Sequence, residues 1–186
     1  MFAIPLGDGA ELRPLEPWQT EEFLAHMDRA RDLVDEHIPL ARAASDLESA
    51  RAVLMSYARK QAEDSGRLYG IWLDSTLVGG VLFRVFDAER GNCEVGCWLE
   101  PAGTGRGLVT RAARVLIDWA VEERGIHRVE WHVSTANNPS IRVAQRLGMT
   151  REGVLREGYP YRGVRQSTEI WSVLAPEWRE RKQHAV

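Results

Sequence analysis

The residues best placed to do chemistry form one short stretch, Gly103-Thr104-Gly105-Arg106-Gly107, after which helical spacing takes over at Leu108. A bare backbone at the mouth of a helix suits an anion. Helix N-termini expose unpaired N–H groups and a partial positive charge, glycine lets that backbone approach closely, and Arg106 adds a full charge. A flexible strand-to-helix turn that binds nothing is the competing reading. Two familiar phosphate motifs are excluded. A dinucleotide fingerprint needs G-x-G-x-x-G, but the sixth residue is Leu108 counted from Gly103 and Thr110 counted from Gly105; no Gly-Lys-Ser/Thr follows for a P-loop.

The flanking segments must position that loop. With 186 residues the chain can bury one real core and is too short for two, so residues 1–186 read as a single domain. It is 44% hydrophobic and 27% charged with net charge −3, which argues against a broad basic surface for nucleic acid. No secretory leader is expected from MFAIPLGDGAELRP, and no window approaches the roughly 20 apolar residues of a membrane span. If residues 93–97 are a strand, the two cysteines, Cys93 and Cys97, share a face. They then lie about 13 Å apart, too far for a disulfide, and free thiols fit a reducing cytoplasm. With five scattered histidines and no further cysteine, no metal site is expected.

Residues 10–15 read as a first strand. A helix follows over 17–34, with Trp18, Phe23, Leu24 and Met27 at helical spacing. A second helix is expected to start at Ser45, with Glu48 completing a capping box and Leu47, Ala50, Leu54 and Tyr57 as its apolar stripe. Strand-like runs at 67–74, 76–87 and 92–100, joined by short turns, imply an antiparallel meander. The next helix is expected over 105–124, with Leu108, Ala112, Leu116 and Trp119 on one face. In residues 127–133, Val129, Trp131 and Val133 alternate with Arg128, Glu130 and His132. A helix over 139–147 stops at Gly148, and strands near 151–157 and 166–174 follow. Strand, helix, strand after residue 90 requires a parallel pair. The class is therefore α/β or α+β with a mixed sheet.

From "GCWLEPAGTGRGLVTRAARVLIDWA" through "IHRVEWHVSTANNPSIRVAQRLGMTREGVLREG", the chain resembles the GCN5-related N-acetyltransferase (GNAT) superfamily, most of all its RimJ/RimL-like branch. The resemblance runs from "LRPL" to "YRGVRQSTEIWSVL". It implies a mostly antiparallel sheet of six to seven strands, with a parallel, splayed central pair and flanking helices. It also implies that acetyl-CoA, or another acyl-CoA, is the co-substrate. The family's Q/R-x-x-G-x-G/A element falls on Thr104, Gly105, Arg106, Gly107, Leu108 and Val109, whose backbone N–H groups, with that of Thr110 beside them, would cradle the pyrophosphate. Thr104 and Val109 depart from that pattern. Asn137 and Ser140 match the family's N-x-x-S element near pantetheine and thiol. Late in the chain, Ser167 and Trp171 stand where the branch often has Asp and Tyr, which loosens any inference about the acceptor.

Acyl transfer from a thioester to an amine needs a bound acyl-CoA, a neutral amine, a stabilised oxyanion and a proton for the departing thiolate. An α-amine, with a pKa of about 7.7–8.0, asks little of a base, and a lysine near 10.4 asks more. The family places the carbonyl against a backbone N–H at the end of the fourth strand, here Leu99, with Trp98 beside the substrate. His132 and Glu94 are the leading candidates for the base, Glu130 a third, and water an alternative. Ser140 would reprotonate the thiolate; its plainer role is to satisfy backbone N–H groups. Arg106 and Arg111 are the cations within reach of CoA phosphates. The implied acceptor is an amine, either a protein N-terminus or a small molecule, with no nucleic acid or membrane partner. Trp178 is expected to be exposed and able to serve a homodimer. A module that binds acyl-CoA without turnover is the second reading, and a ligand-free scaffold a weaker third.

Overall fold

The computed structural model describes residues 3–184. Within them the chain forms an eight-stranded sheet with the order β1-β2-β3-β4-β5-β6-β8-β7. The strands are β1 (Ile4–Gly7), β2 (Ala10–Pro14), β3 (Arg67–Leu73), β4 (Thr76–Asp87), β5 (Asn92–Leu99), β6 (Arg128–Ser134), β7 (Thr150–Tyr161) and β8 (Val164–Leu174). Helices α1 (Thr20–Val34), α2 (Leu40–Ala43) and α3 (Leu47–Ala62) cover one face. Helices α4 (Leu108–Asp118), α5 (Asn138–Arg146) and α6 (Ala175–His184) cover the other.

The expectation of six to seven strands missed β1. It is a four-residue strand that pairs antiparallel with β2 through a turn in which Gly7, Asp8 and Gly9 all have positive φ. So short a run has too little periodicity to read as a strand, and its partner supplies the stability. The cap of α3 sits one residue later than expected. Asp46, not Ser45, is the N-cap, accepting from the Ser49 N–H at 2.8 Å, while the Ser49 hydroxyl accepts from the Asp46 N–H at 3.1 Å. Leu47 is exposed although placed in the apolar stripe, and Trp18 is 80% exposed because it precedes α1 in a short 3-10 turn. Trp178 is buried, its indole N–H donating to Asp118 at 2.8 Å, so it offers no dimer surface. Helix α4 begins only at Leu108; Gly107 precedes it with φ +69°.

One feature of the sheet positions the site. β5 pairs with β6 in parallel only at Asn92–Arg128, Cys93–Val129 and Glu94–Glu130. Beyond these pairs β5 stays on β4, down to Gly79–Leu99, while β6 follows β8. The two strands therefore part toward their C-terminal ends. Trp98 packs so closely on β4 that a Cβ on Gly80 would fall within its ring. No helix among the described residues is long and apolar enough to cross a membrane.

Candidate active site

The gap between β5 and β6 opens into a cavity of about 750 Å³. Cys97, Trp98 and Leu99 form one wall; Gly103, Thr104, Gly105 and Gly107 with the first turn of α4 form a second. Asn137 to Ser140 with Val143 form a third, and Leu33 and Val34 at the end of α1, with Glu36, His37 and Ile38 beyond it, close the fourth.

Alternation along β5 sets the chemistry of the first wall. The Glu100 N–H donates to the Val78 carbonyl at 2.8 Å, in the register that pairs Trp98 with Gly80. Bonded and non-bonded positions alternate in an antiparallel ladder, so Leu99 and Cys97 turn their N–H groups away from β4. At the other end, the Gly91 carbonyl accepts from the Arg128 N–H at 3.0 Å, again directing odd-numbered backbone groups toward β6. Where β6 has diverged, those groups face the cavity.

The glycine loop is held open by conformation. Gly105 and Gly107 have φ +75° and +69°, which side chains other than glycine adopt at a cost. A Cβ at either would meet nothing within 4 Å, so these glycines serve the backbone path rather than close packing. Helix α4 has no side-chain cap, which leaves the N–H groups of its first turn available at the cavity wall. Arg111 in that turn gives one N–H to Asp8 at 3.0 Å, while its Nε and Nη2 are buried without a protein partner. Buried guanidinium donors left unpaired beside a helix N-terminus call for an anion. Arg106 is not part of the cavity wall, and the Thr104 hydroxyl is turned onto the Pro101 carbonyl at 2.8 Å.

On the third wall, Asn137 caps α5 by accepting from the Ser140 N–H at 3.1 Å. Ser140 is thereby relieved of capping. Its Oγ accepts from the buried Trp131 indole at 3.0 Å, which leaves the hydroxyl proton free to be donated.

Glu94 and His132 share the face of the sheet that carries Trp98, but neither lines the cavity. The two oxygens of Glu94 accept from Arg84 at 2.6 and 2.5 Å. His132 lies 2.7 Å from Glu130 through Nε2 and 3.7 Å from Glu94 through Nδ1, so its ring bridges two carboxylates. Burial pushes the Cys97 thiol up to about 12 and Cys93 higher still, which disfavours the thiolate form that a nucleophile needs. Among the described residues no group of His, Cys, Asp and Glu is placed to hold a metal ion.

A second polar cluster lies behind Trp98. His26 on α1 is fully buried, with Nδ1 2.9 Å from Glu100 and Nε2 2.9 Å from the Trp98 indole nitrogen. Burial, outweighing the pull of Glu100, holds the imidazole below its usual range. Folding thus favours the neutral ring. That contribution is complete above pH 6.5 and is lost as pH falls through the lowered folded value. Asp64 and Glu152, held at about 2 chiefly by Arg124 and Arg128, titrate below this window. Urea unfolding is expected to show stability falling between about pH 7 and pH 5, and the His26→Gln variant a flatter dependence. Equal slopes in the two proteins would assign the loss to other groups.

Residues 10–150 match the family model described as the acetyltransferase (GNAT) domain. The chain belongs to the GNAT acetyltransferase family. It is similar to Bacillus subtilis (strain 168) "Probable N-acetyltransferase YjcK", at 30% identity over 171 residues, covering 89% of this chain and 94% of that protein. The GNAT chain is accordingly an N-acetyltransferase. Its fold is shared with RimL, a ribosomal-protein α-N-acetyltransferase solved with coenzyme A, at TM-score 0.87 and 16% identity, covering 92% of this chain and 97% of that one. The microcin self-immunity acetyltransferase MccE, solved with acetyl-CoA and AMP, superposes at TM-score 0.86 and 21% identity, covering 92% and 95% of the two chains.

Within this GNAT domain, the sequence reading named the cavity residues on β5, α4 and α5 but missed the wall after α1. Glu36 and His37 stand there because the chain turns back at Pro39 into α2, a turn without a periodic signature. His26 was missed for a different reason: its partners are 72 and 74 residues away, and nothing local marks it.

Proposed function

We propose that this acetyltransferase moves the acetyl group of acetyl-CoA to a primary amine, a protein N-terminal α-amine or a small-molecule amine, in a reducing cytoplasm. The observation that carries the reading is the gap between β5 and β6, where the unpaired Leu99 N–H and the positive-φ glycine loop face one cavity. The residues present suit a CoA thioester. Gly105, Gly107 and the first-turn N–H groups of Leu108, Val109 and Thr110 would hold the pyrophosphate, with Arg111 adding charge-assisted donors.

When bound, the thioester supplies an activated acetyl group and a thiolate leaving group. The Leu99 N–H serves as a preorganised donor for the carbonyl oxygen, and such donors act most strongly where water is excluded. Trp98 and Asn137 border the reacting end. Ser140, held by the Trp131 indole, relays a proton to the departing sulfur, its hydroxyl regaining one from water as it gives one up. The amine enters from the side walled by Leu33, His37 and Ile38. Its proton leaves through water toward the Glu130–His132–Glu94 chain, which stands outside the cavity lining, and an α-amine, already partly neutral near pH 7.7–8.0, needs no stronger base.

The test is thiol release from acetyl-CoA with a panel of N-terminal peptides, ribosomal proteins, polyamines and aminoglycosides, alongside calorimetric CoA binding. At least one amine class is expected to raise release well above the amine-free background. No CoA binding, or binding with no amine-dependent release across the panel, overturns the reading.

A further inference from the structure

The buried cluster on α1 reaches the reacting end of the cavity through two consecutive links. Trp indole N–H groups only donate, so His26 Nε2 must be the acceptor from Trp98, at 2.9 Å. The ring proton is then on Nδ1 and donates to Glu100, at 2.9 Å. One neutral imidazole therefore joins the side chains at positions 98 and 100, immediately before and after Leu99. Glu100 is itself 4% exposed and receives a second bond from Arg29 Nε at 3.0 Å. Arg29 Nη2 continues to the Leu77 carbonyl at 2.8 Å, tying in the start of β4. The backbone N–H of Glu100 is held by Val78. Trp98 is further fixed by Phe23, ring edge to face at 6.4 Å, and by the bare Cα of Gly80. Glu100 leads directly into the turn at Pro101–Gly103 and on to the glycine loop.

An apolar residue at position 26 could fill the core between α1 and the sheet, but it would leave the buried Trp98 indole N–H without an acceptor and Glu100 with one donor fewer. The chain instead places a histidine with both ring nitrogens engaged. A backbone donor needs its direction fixed to within a fraction of an ångström, and the backbone of Leu99 cannot be steered by its own side chain, which packs with the other face. Its neighbours have to do it.

We propose that His26 is a positioning residue for acyl transfer, clamping Trp98 and Glu100 so that the Leu99 N–H between them stays aimed into the β5–β6 gap. This rests on the acetyl-transfer reading above. The groups facing the imidazole are Trp98, Glu100 and Arg29, together with the Leu77 carbonyl. Protonating it would set an N–H against the Trp98 N–H and release one arm of the clamp.

The test compares wild type with His26→Leu, His26→Gln and Trp98→Phe. The measurements are the Leu99 amide resonance in ¹H–¹⁵N spectra, CoA affinity by calorimetry, and kcat and KM for acetyl-CoA. In His26→Leu and Trp98→Phe the Leu99 amide is expected to shift or broaden. There kcat is expected to fall roughly 10- to 100-fold, as for a small misplacement of a reacting group, while CoA affinity changes little in His26→Leu, whose side chain stands outside the cavity lining. His26→Gln, which keeps an acceptor and a donor, is expected to recover most of both. If His26→Leu does not fold, Trp98→Phe carries the same comparison, since it deletes one bond and keeps a ring. An unmoved Leu99 amide in a folded variant overturns the clamp, as does kcat within twofold of wild type. Loss of kcat in step with CoA affinity and melting temperature also overturns it, because that pattern belongs to a purely structural histidine. The amide resonance needs no turnover, so a wild type that fails to release thiol sinks the acetyl-transfer reading while the clamp is still judged.

Discussion

Gly107→Pro is expected to abolish CoA binding, with a loss of affinity beyond 100-fold, in a protein that still folds. Gly107 holds φ +69° and ψ 10°, immediately before α4. Proline fixes φ near −65° and has no N–H, so the loop from Thr104 to Leu108 would have to take another path and lose a donor. Space is not the obstacle, because nothing lies within 4 Å of the position a Cβ would occupy. The obstacle is conformation. Gly107→Ala makes the useful comparison: it keeps the N–H and pays only the left-handed strain of about 1–2 kcal/mol, so it should weaken binding far less. The fold survives because α4 is anchored by Leu108, Ala112, Leu116 and Ile117 in the core, away from the loop. Calorimetry with CoA, next to a thermal melt, checks both halves of the statement. A folded Gly107→Pro protein with affinity within threefold of wild type would remove the glycine loop from the phosphate site.

Leu99→Pro is expected to cost roughly 100- to 1,000-fold in kcat, the loss that follows removal of one oxyanion donor elsewhere, with CoA affinity largely kept. A proline inside a sheet normally breaks a ladder bond. Here it does not, since the Leu99 N–H points away from β4 into the gap. The substitution therefore deletes one donor and leaves the pairing of Trp98 and Glu100 with β4 in place. The side chain at 99 is half-buried, so Leu99→Ala controls for lost packing and is expected to retain most of the rate. Single-turnover acetyl transfer at saturating acetyl-CoA reads the chemical step. Equal rates for the proline and alanine variants would mean that the carbonyl is polarised elsewhere.

How much of this was legible beforehand depended on whether the deciding contacts were local. The alternation of Val129, Trp131 and Val133 with Arg128, Glu130 and His132 was readable because a strand with one buried face needs no partner to announce itself, and the structure keeps it residue for residue. Gly148, with φ +72° after α5, was readable for a similar reason. The glycine loop could be found but not settled by spacing alone, since neither phosphate motif fits, and the family resemblance supplied its direction. Asp46 displaced Ser45 as a cap because two neighbouring residues of equal capping ability differ only in where the turn happens to close. Trp178 looked exposed in a highly charged tail, but it is held against Asp118, 60 residues earlier. The parting of β5 from β6 leaves no trace in the sequence of either strand: the apolar residues of β5 run on through Cys97 and Leu99, and only the structure shows these two half-buried where Cys93 and Val95 are buried.

That parting gives the sheet an edge in its interior. Edge strands ordinarily invite other chains to pair with them, yet this one lies between the walls built by α1, α4 and α5 and faces the cavity. A guest that carries its own amide groups can bond to the free backbone positions of Cys97, as an added strand would, leaving the Leu99 N–H for the thioester carbonyl. A plain alkyl chain of equal length would leave those same positions dry and unpaired. On the acetyl-transfer reading, a donor with peptide-like character is therefore expected to be preferred through main-chain geometry, a preference that side-chain substitutions along β5 should not erase.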